Sequence, residues 1–133
     1  LEQCGNEGGL LGISGYNDVR EIQQGAERGD ERCQLAIEVL ATSARDWLGA
    51  FVVEMGGLDA ISFTGGIGEY SVVVRAEILR ELEFLGVEVD AAKNEAVQGE
   101  GSLHAASSRV HIYVLRTDEE LVVARQTCEF LGL

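Results

Sequence analysis

Leu58-Asp59-Ala60-Ile61-Ser62-Phe63-Thr64-Gly65-Gly66-Ile67-Gly68-Glu69 is the stretch whose reading decides the fold. Ile61 and Phe63 are β-formers at alternate positions, so the run before Thr64 reads as a short buried strand. A helical pattern begins near Ser71, which makes the whole a strand, a glycine turn and a helix. Gly65, Gly66 and Gly68 lack a Cβ and admit positive φ, so another molecule can approach the main chain closely there. The unpaired N–H groups of the helix behind them favour a negatively charged or polar ligand. A tight corner accounts for the same glycines, and spacing alone does not choose between the two readings. The spacing does exclude two common nucleotide loops. No Gly-Lys-Ser/Thr follows to deliver a lysine to a phosphate, and the glycines do not fall on Gly-x-Gly-x-x-Gly.

Upstream of this stretch lies the longest helical pattern, from about Asp30 to Met55. Asp30 can cap it, Glu31 suits the positive end of its dipole, and Gly56-Gly57 stops it. Its apolar residues, among them Leu35, Ala36, Val39, Leu40, Trp47, Phe51 and Met55, recur with helical periodicity and predict a packed face. Asn17 or Asp18 can cap a shorter helix ending near Gly25. Residues 1–15 are apolar but glycine-rich, which predicts loop and short extended pieces.

Downstream, Val72–Phe84 reads as a helix ending at Gly86, and Asp90–Val97 as a further helical turn or two. Gly99–Ser108 reads as loop. Val110-His111-Ile112-Tyr113-Val114-Leu115 is rich in β-formers and predicts a second strand, with Ile112 and Val114 on the face opposite His111. His111 and His104 have no partners at metal-ligand spacing. The last helix opens at Thr117-Asp118-Glu119-Glu120, where Thr117 and Glu120 fit a capping box. Glu119 then stands in a first turn at the carboxyl end of a strand, where open α/β sheets hold ligands and where a carboxylate can serve Mg²⁺. A first-turn carboxylate is equally accounted for by the helix dipole. The order is α-β-α-β-α, an α/β fold on a short parallel sheet.

Composition bounds the function. With 133 residues the chain suffices for one domain with a modest core. Its formal charge of −13 argues against nucleic acid and anionic membranes as partners, since phosphate binding is dominated by Lys and Arg. No apolar run approaches the ~20 residues of a membrane span, and no secretory signal is visible. Cys4, Cys33 and Cys128 are widely spaced and odd in number, which fits reduced thiols in a cytoplasmic protein better than a disulfide framework or a zinc site. A start at Leu1 instead of Met points to a piece of a longer protein.

Several segments occur in one order: Gly9-Leu10-Leu11-Gly12-Ile13-Ser14-Gly15, Asn17-Asp18-Val19-Arg20, Phe63-Thr64-Gly65-Gly66-Ile67-Gly68-Glu69 and Thr117-Asp118-Glu119-Glu120-Leu121. Together they resemble the carboxy-terminal third of the acetate kinase family, which includes propionate and butyrate kinases. The resemblance implies a partial ribonuclease H-like domain of the sugar kinase, Hsp70 and actin superfamily. Residues 1–133 would form the carboxy-terminal part of its nucleotide-binding domain, with 1–29 a loop-rich lead and short helix and 30–133 the α-β-α-β-α unit. It also implies reversible phosphoryl transfer, with Mg²⁺, between ATP and a short-chain carboxylate, giving ADP and an acyl phosphate.

Residue by residue, Asp18, Val19 and Arg20 match the segment that contacts the adenosine. Gly66, Ile67 and Gly68 match the loop closing the nucleotide pocket, and Glu119 matches the acidic residue associated with Mg²⁺. Tyr70 stands where the family usually has Asn, so a polar contact to the nucleotide is lost or replaced. Asn17-Asp18 replaces Ser-Asp, and Arg116-Thr117-Asp118-Glu119-Glu120 replaces Pro-Thr-Asn-Glu-Glu. No amino-terminal phosphate loop, substrate-binding arginines, catalytic histidine or catalytic aspartate can be located, so no catalytic residue is assigned and the chain alone is expected to be inactive. Two readings share the fold: part of an acetate kinase-like enzyme, or a non-catalytic nucleotide-binding or dimerisation module from a split or degenerate paralogue. Residues 1–29 supply no strand to cover the edge of the strand at Ala60–Thr64, which predicts a homodimer or other self-association through that edge or the Asp30–Met55 helix.

Overall fold

The computed structural model describes residues 8–132, with the side chain of Glu119 outside that description, as is Cys4. Its elements are α1 (Gly9–Ser14), α2 (Val19–Glu27), α3 (Glu31–Met55), β1 (Ala60–Phe63), α4 (Gly65–Tyr70), α5 (Val72–Leu79), a 3-10 turn (Glu83–Leu85), α6 (Ala91–Ala96), β2 (Gly101–Ser102), β3 (His111–Val114) and α7 (Glu119–Leu131). The sheet has the order β1-β3-β2. β1 and β3 run parallel, pairing Ala60 with His111 through Phe63 with Val114. The expected parallel pair is thus present, and β2 joins it antiparallel through Gly101–Val114 and Ser102–Tyr113, so the sheet is mixed. A strand of Gly and Ser has no apolar alternation by which sequence could reveal it.

Two apolar clusters meet at α5. Under the sheet, Phe63, Leu79, Leu82, Val87, Leu103, Val110, Ile112 and Val114 form one buried group. Between the helices, Ile22, Cys33, Ala36, Ile37 and Val74 form the other. Ile112 and Val114 are fully buried while His111 on the opposite face is exposed, as the alternation predicts. His104 has a structural task. Its Nδ1 accepts the N–H of buried Ile112 at 3.1 Å, where Leu103 O is already taken by Asp90 N–H at 2.8 Å.

Several local expectations change. Gly9–Ser14 is helical despite its glycines, because Leu10 and Ile13 pack on the second cluster and tertiary burial overrides propensity. The glycine turn is itself the helix α4, and Ser71 then caps α5 by accepting Val74 N–H at 3.1 Å. The predicted helix over 72–84 breaks after Leu79, with Glu81 at φ 60° and Gly86 at φ 85°, and the break lets Leu82 and Val87 both enter the core. At the start of α7 the cap is Asp118, which accepts Leu121 N–H at 2.8 Å, in place of the expected Thr117–Glu120 box. The apolar residues of α3 divide. Ala36, Ile37 and Ala41 are buried with Cys33, whereas Leu35, Val39, Trp47, Phe51 and Met55 are exposed.

Candidate functional site

Asp18 ends the chain's extended approach to α2 and caps it, with Oδ1 accepting Arg20 N–H at 2.8 Å. The same carboxylate holds the Arg20 guanidinium, whose Nε lies 3.0 Å from Oδ1 and 3.1 Å from Oδ2. That side-chain bond, with the backbone bond to Arg20 second, holds the Asp18 carboxyl down at about 2, against an ordinary 3.8. The Arg20 side chain is 84% exposed, so the pair stands in solvent at the start of α2.

Opposite it stands α4, directly behind β1. Gly68 packs closely there, since a Cβ would come within 3.2 Å of the Phe63 carbonyl carbon and could enter only with a small shift of β1. Gly65, at φ 68°, opens the helix in the left-handed region that favours glycine. Between α2 and α4 lies a groove of about 860 Å³. Asn17, Asp18, Val19, Arg20 and Gln23 form one wall, and Gly66, Ile67, Tyr70 and Ser71 the other. Gln23 Nε2 donates to Ser71 Oγ and joins the two walls.

Of the sequence-predicted residues, Asp18, Val19, Arg20, Gly66, Ile67 and Tyr70 therefore share one groove. Gly68 does not line it and lies behind, against Phe63. The first turn of α7 approaches from the carboxyl end of β3, where Thr117 N–H donates to Glu69 Oε1 at 3.2 Å, but among the described residues none of α7 lines the groove. Glu119 is in that turn, and its side chain lies outside the described residues.

Sequence reading missed Gln23 and Ser71. Ser71 carried a signal, being a cap residue directly before the apolar run Val72–Val74. Gln23 carried none beyond lying one turn from Val19 and Arg20. Arg75 was also missed. It is 1% exposed, and burial pulls its guanidinium below the ordinary arginine value. A smaller hollow of about 460 Å³ on the other side of Gln23 is ringed by Glu27, Glu38 and Glu77, with Arg80 held by Glu77 at 3.6 Å. Its carboxylates suit no anion, and none of the motif residues reaches it.

Fold and groove define an α/β unit in which the start of α2 and the glycine-bearing helix that follows β1 flank one groove of about 860 Å³. The model of the Acetokinase family matches residues 2–125. The chain belongs to that family. It is 45% identical over 132 residues to an acetate kinase of Staphylococcus saprophyticus, covering 98% of this chain and 33% of the relative. It is 46% identical over 121 residues to a propionate kinase of Escherichia fergusonii, covering 90% of this chain and 30% of the relative. The crystal structure of Porphyromonas gingivalis acetate kinase superposes with a TM-score of 0.84 at 35% identity, over 94% of this chain and 32% of that one. The chain thus spans about a third of the length of the relatives it matches.

Proposed function

We propose that this chain supplies the adenosine side of a nucleotide site in an enzyme that moves phosphate reversibly between ATP and a short-chain carboxylate. Residues 1–133 are then the carboxy-terminal part of its nucleotide-binding domain. One observation carries the reading: two motifs far apart in sequence, Asp18-Val19-Arg20 and Gly66-Ile67 with Tyr70, line a single groove. Val19 and Ile67 offer apolar surface to a base, Arg20 offers a guanidinium plane for stacking, and Gly66 lets the backbone come close. The groove's volume falls in the usual range for small-ligand sites, roughly 300–1,000 Å³. Mg²⁺ would accompany the phosphates, with Glu119 in the first turn of α7 as its carboxylate.

Phosphoryl transfer depends on positioning and charge neutralisation of the phosphates, and no phosphate loop, catalytic histidine or catalytic aspartate is assigned in these 133 residues. The chain alone is therefore expected to bind ADP weakly and to show no turnover. Calorimetric titration with ADP of wild type and Ile67→Lys tests the site, because a lysine at Ile67 fills the groove with a solvated chain. ADP binding that survives Ile67→Lys unchanged would remove the groove from the reading. A hydroxamate-coupled assay tests turnover, and robust activity that copurifies with the chain would overturn the expectation of inactivity. Tyr70, 75% exposed where the family usually has Asn, favours altered nucleotide contacts and keeps a non-catalytic nucleotide-binding module as the second reading.

A further inference from the structure

Arg75 lies in α5, immediately behind the helix that forms one wall of the groove. Its Nη1 donates to Gly68 O and Glu69 O, both at 2.9 Å, which are carbonyls at the carboxyl end of α4. Its Nε donates to Asn94 Oδ1 at 2.7 Å and its Nη2 to Asn94 O at 2.9 Å. Asn94, itself 3% exposed, passes the network on through Nδ2 to Val72 O at 3.1 Å. One guanidinium thus ties α4, the start of α5 and α6 together.

Every acceptor in this network is neutral. Among the described residues the ion pairs are Arg20–Asp18, Arg80 with Glu77 and Glu81, and Lys93–Asp90, and Arg75 is in none of them. A buried cation without an anion is costly, and a chain with 23 acidic residues against 10 basic ones has carboxylates to spare. The position facing the guanidinium is instead an amide, Asn94, whose Oδ1 accepts from Arg75 while its Nδ2 donates to Val72 O, so the same side chain that serves Arg75 brings no negative charge to it. The groove's own cation, Arg20, already faces Asp18. Arg75 is therefore left with its charge free to act forward through α4, towards Gly66, Ile67 and Tyr70.

We propose that Arg75 is a positioning residue of the groove that works partly through its charge. It fixes α4 in place and supplies, from behind, the positive potential that favours a nucleoside diphosphate over the bare nucleoside. This rests on the nucleotide reading of the groove. The hydrogen bonds account for the shape of the wall, and the missing counter-charge accounts for a preference among ligands of that shape.

Calorimetric titration of the full chain with ADP and, separately, with adenosine tests it, on wild type, Asn94→Asp, Arg75→Lys and Arg75→Met, each checked for folding by thermal melting. The ratio of ADP to adenosine affinity is the readout, because a wall that is merely displaced weakens both ligands together. In Asn94→Asp and Arg75→Met the ratio is expected to fall about tenfold, the scale of one charge acting over roughly 10 Å at an effective dielectric near 20. Arg75→Lys is expected to weaken both ligands and to keep the ratio. A folded Asn94→Asp or Arg75→Met with the wild-type ratio overturns the proposal, as does Arg75→Lys losing the ratio as fully as Arg75→Met. If Asn94→Asp does not fold, the two Arg75 variants decide. Loss of folding in all three assigns Arg75 to stability alone and overturns the charge role. Wild type that binds both ligands equally defeats only this inference, whereas wild type that binds neither defeats the nucleotide reading and the inference with it.

Discussion

Asp18 meets two demands with one carboxylate, capping α2 through Arg20 N–H and holding the Arg20 side chain at the mouth of the groove. The sign of its pH dependence follows from the depressed pKa. Its stabilisation is fully present above the ordinary value of 3.8 and is lost as pH falls through about 2. Asp18→Asn keeps a good cap but removes the charge, so the variant isolates the ion pair. The urea midpoint of wild type is expected to exceed that of Asp18→Asn slightly at pH 7, with the gap closing between pH 3.8 and 2 and shrinking in high salt, because the pair is exposed. A gap that persists unchanged at pH 2 would show that the difference is not this titration. At this scale the sequence was legible where a residue's neighbours in the chain determine its role, as for Asp18 and Arg20. It was not legible for Arg75, whose partners at Gly68, Glu69 and Asn94 are reached only once α4 and α6 have been folded against α5.

Among elements, the crossing of α2 and α3 depends on one missing side chain. Gly25 is buried in α2, and a Cβ there would lie 2.4 Å from Cys33 Sγ and 3.1 Å from Cys33 Cβ in α3. Gly25→Ala is therefore expected to destabilise the protein by about 1–3 kcal/mol through overpacking, despite alanine's better helix propensity. Cys33→Ala in the same chain should recover part of that loss, so the two substitutions should be non-additive in a denaturant-melting cycle. An additive cycle would mean the helices separate by another route. The strand-to-helix passage after Phe63, the cap at Asp30 and the Gly56 stop were legible, and the cap of α2 was narrowed to Asn17 or Asp18, since each depends on local hydrogen bonding or backbone freedom. The helix at Gly9–Ser14 was hidden because glycine propensity points the other way and only packing of Leu10 and Ile13 reverses it. The antiparallel β2 was hidden because two polar or small residues carry no periodicity.

On the scale of the whole molecule, the chain leaves apolar surface uncovered in an ordered pattern. Trp47, Phe51 and Met55 are spaced by fours along the second half of α3 and form a short row on its solvent side, with Leu35 and Val39 exposed nearer its start, while Cys33, Ala36, Ile37 and Ala41 are buried. β1 lies at the edge of the sheet, and α7 exposes Val122, Val123 and Phe130 as well. Contiguous apolar surface of this kind is uncommon on monomers. The charge of −13 opposes association, but salt screens it within roughly 8–10 Å, whereas apolar burial acts at contact. For the chain by itself a second copy meeting the α3 row is the expected occupant, with association stronger at ~0.15 M salt than at ~0.01 M. Trp47 is the sole tryptophan and 66% exposed, with its ring 6.1 Å from that of Phe51, so it reports directly on this row. Light scattering should give a mass above that of one chain as concentration rises, and Trp47 emission should shift to the blue over the same range. Phe51→Glu places a charge at the centre of the row and should return both signals to those of the monomer without lowering the melting temperature, because Phe51 is 55% exposed in the single chain. A monomer at every concentration, with Trp47 emission unchanged, would mean that the row is tolerated in solvent and that the faces of α3 are not an interface between copies.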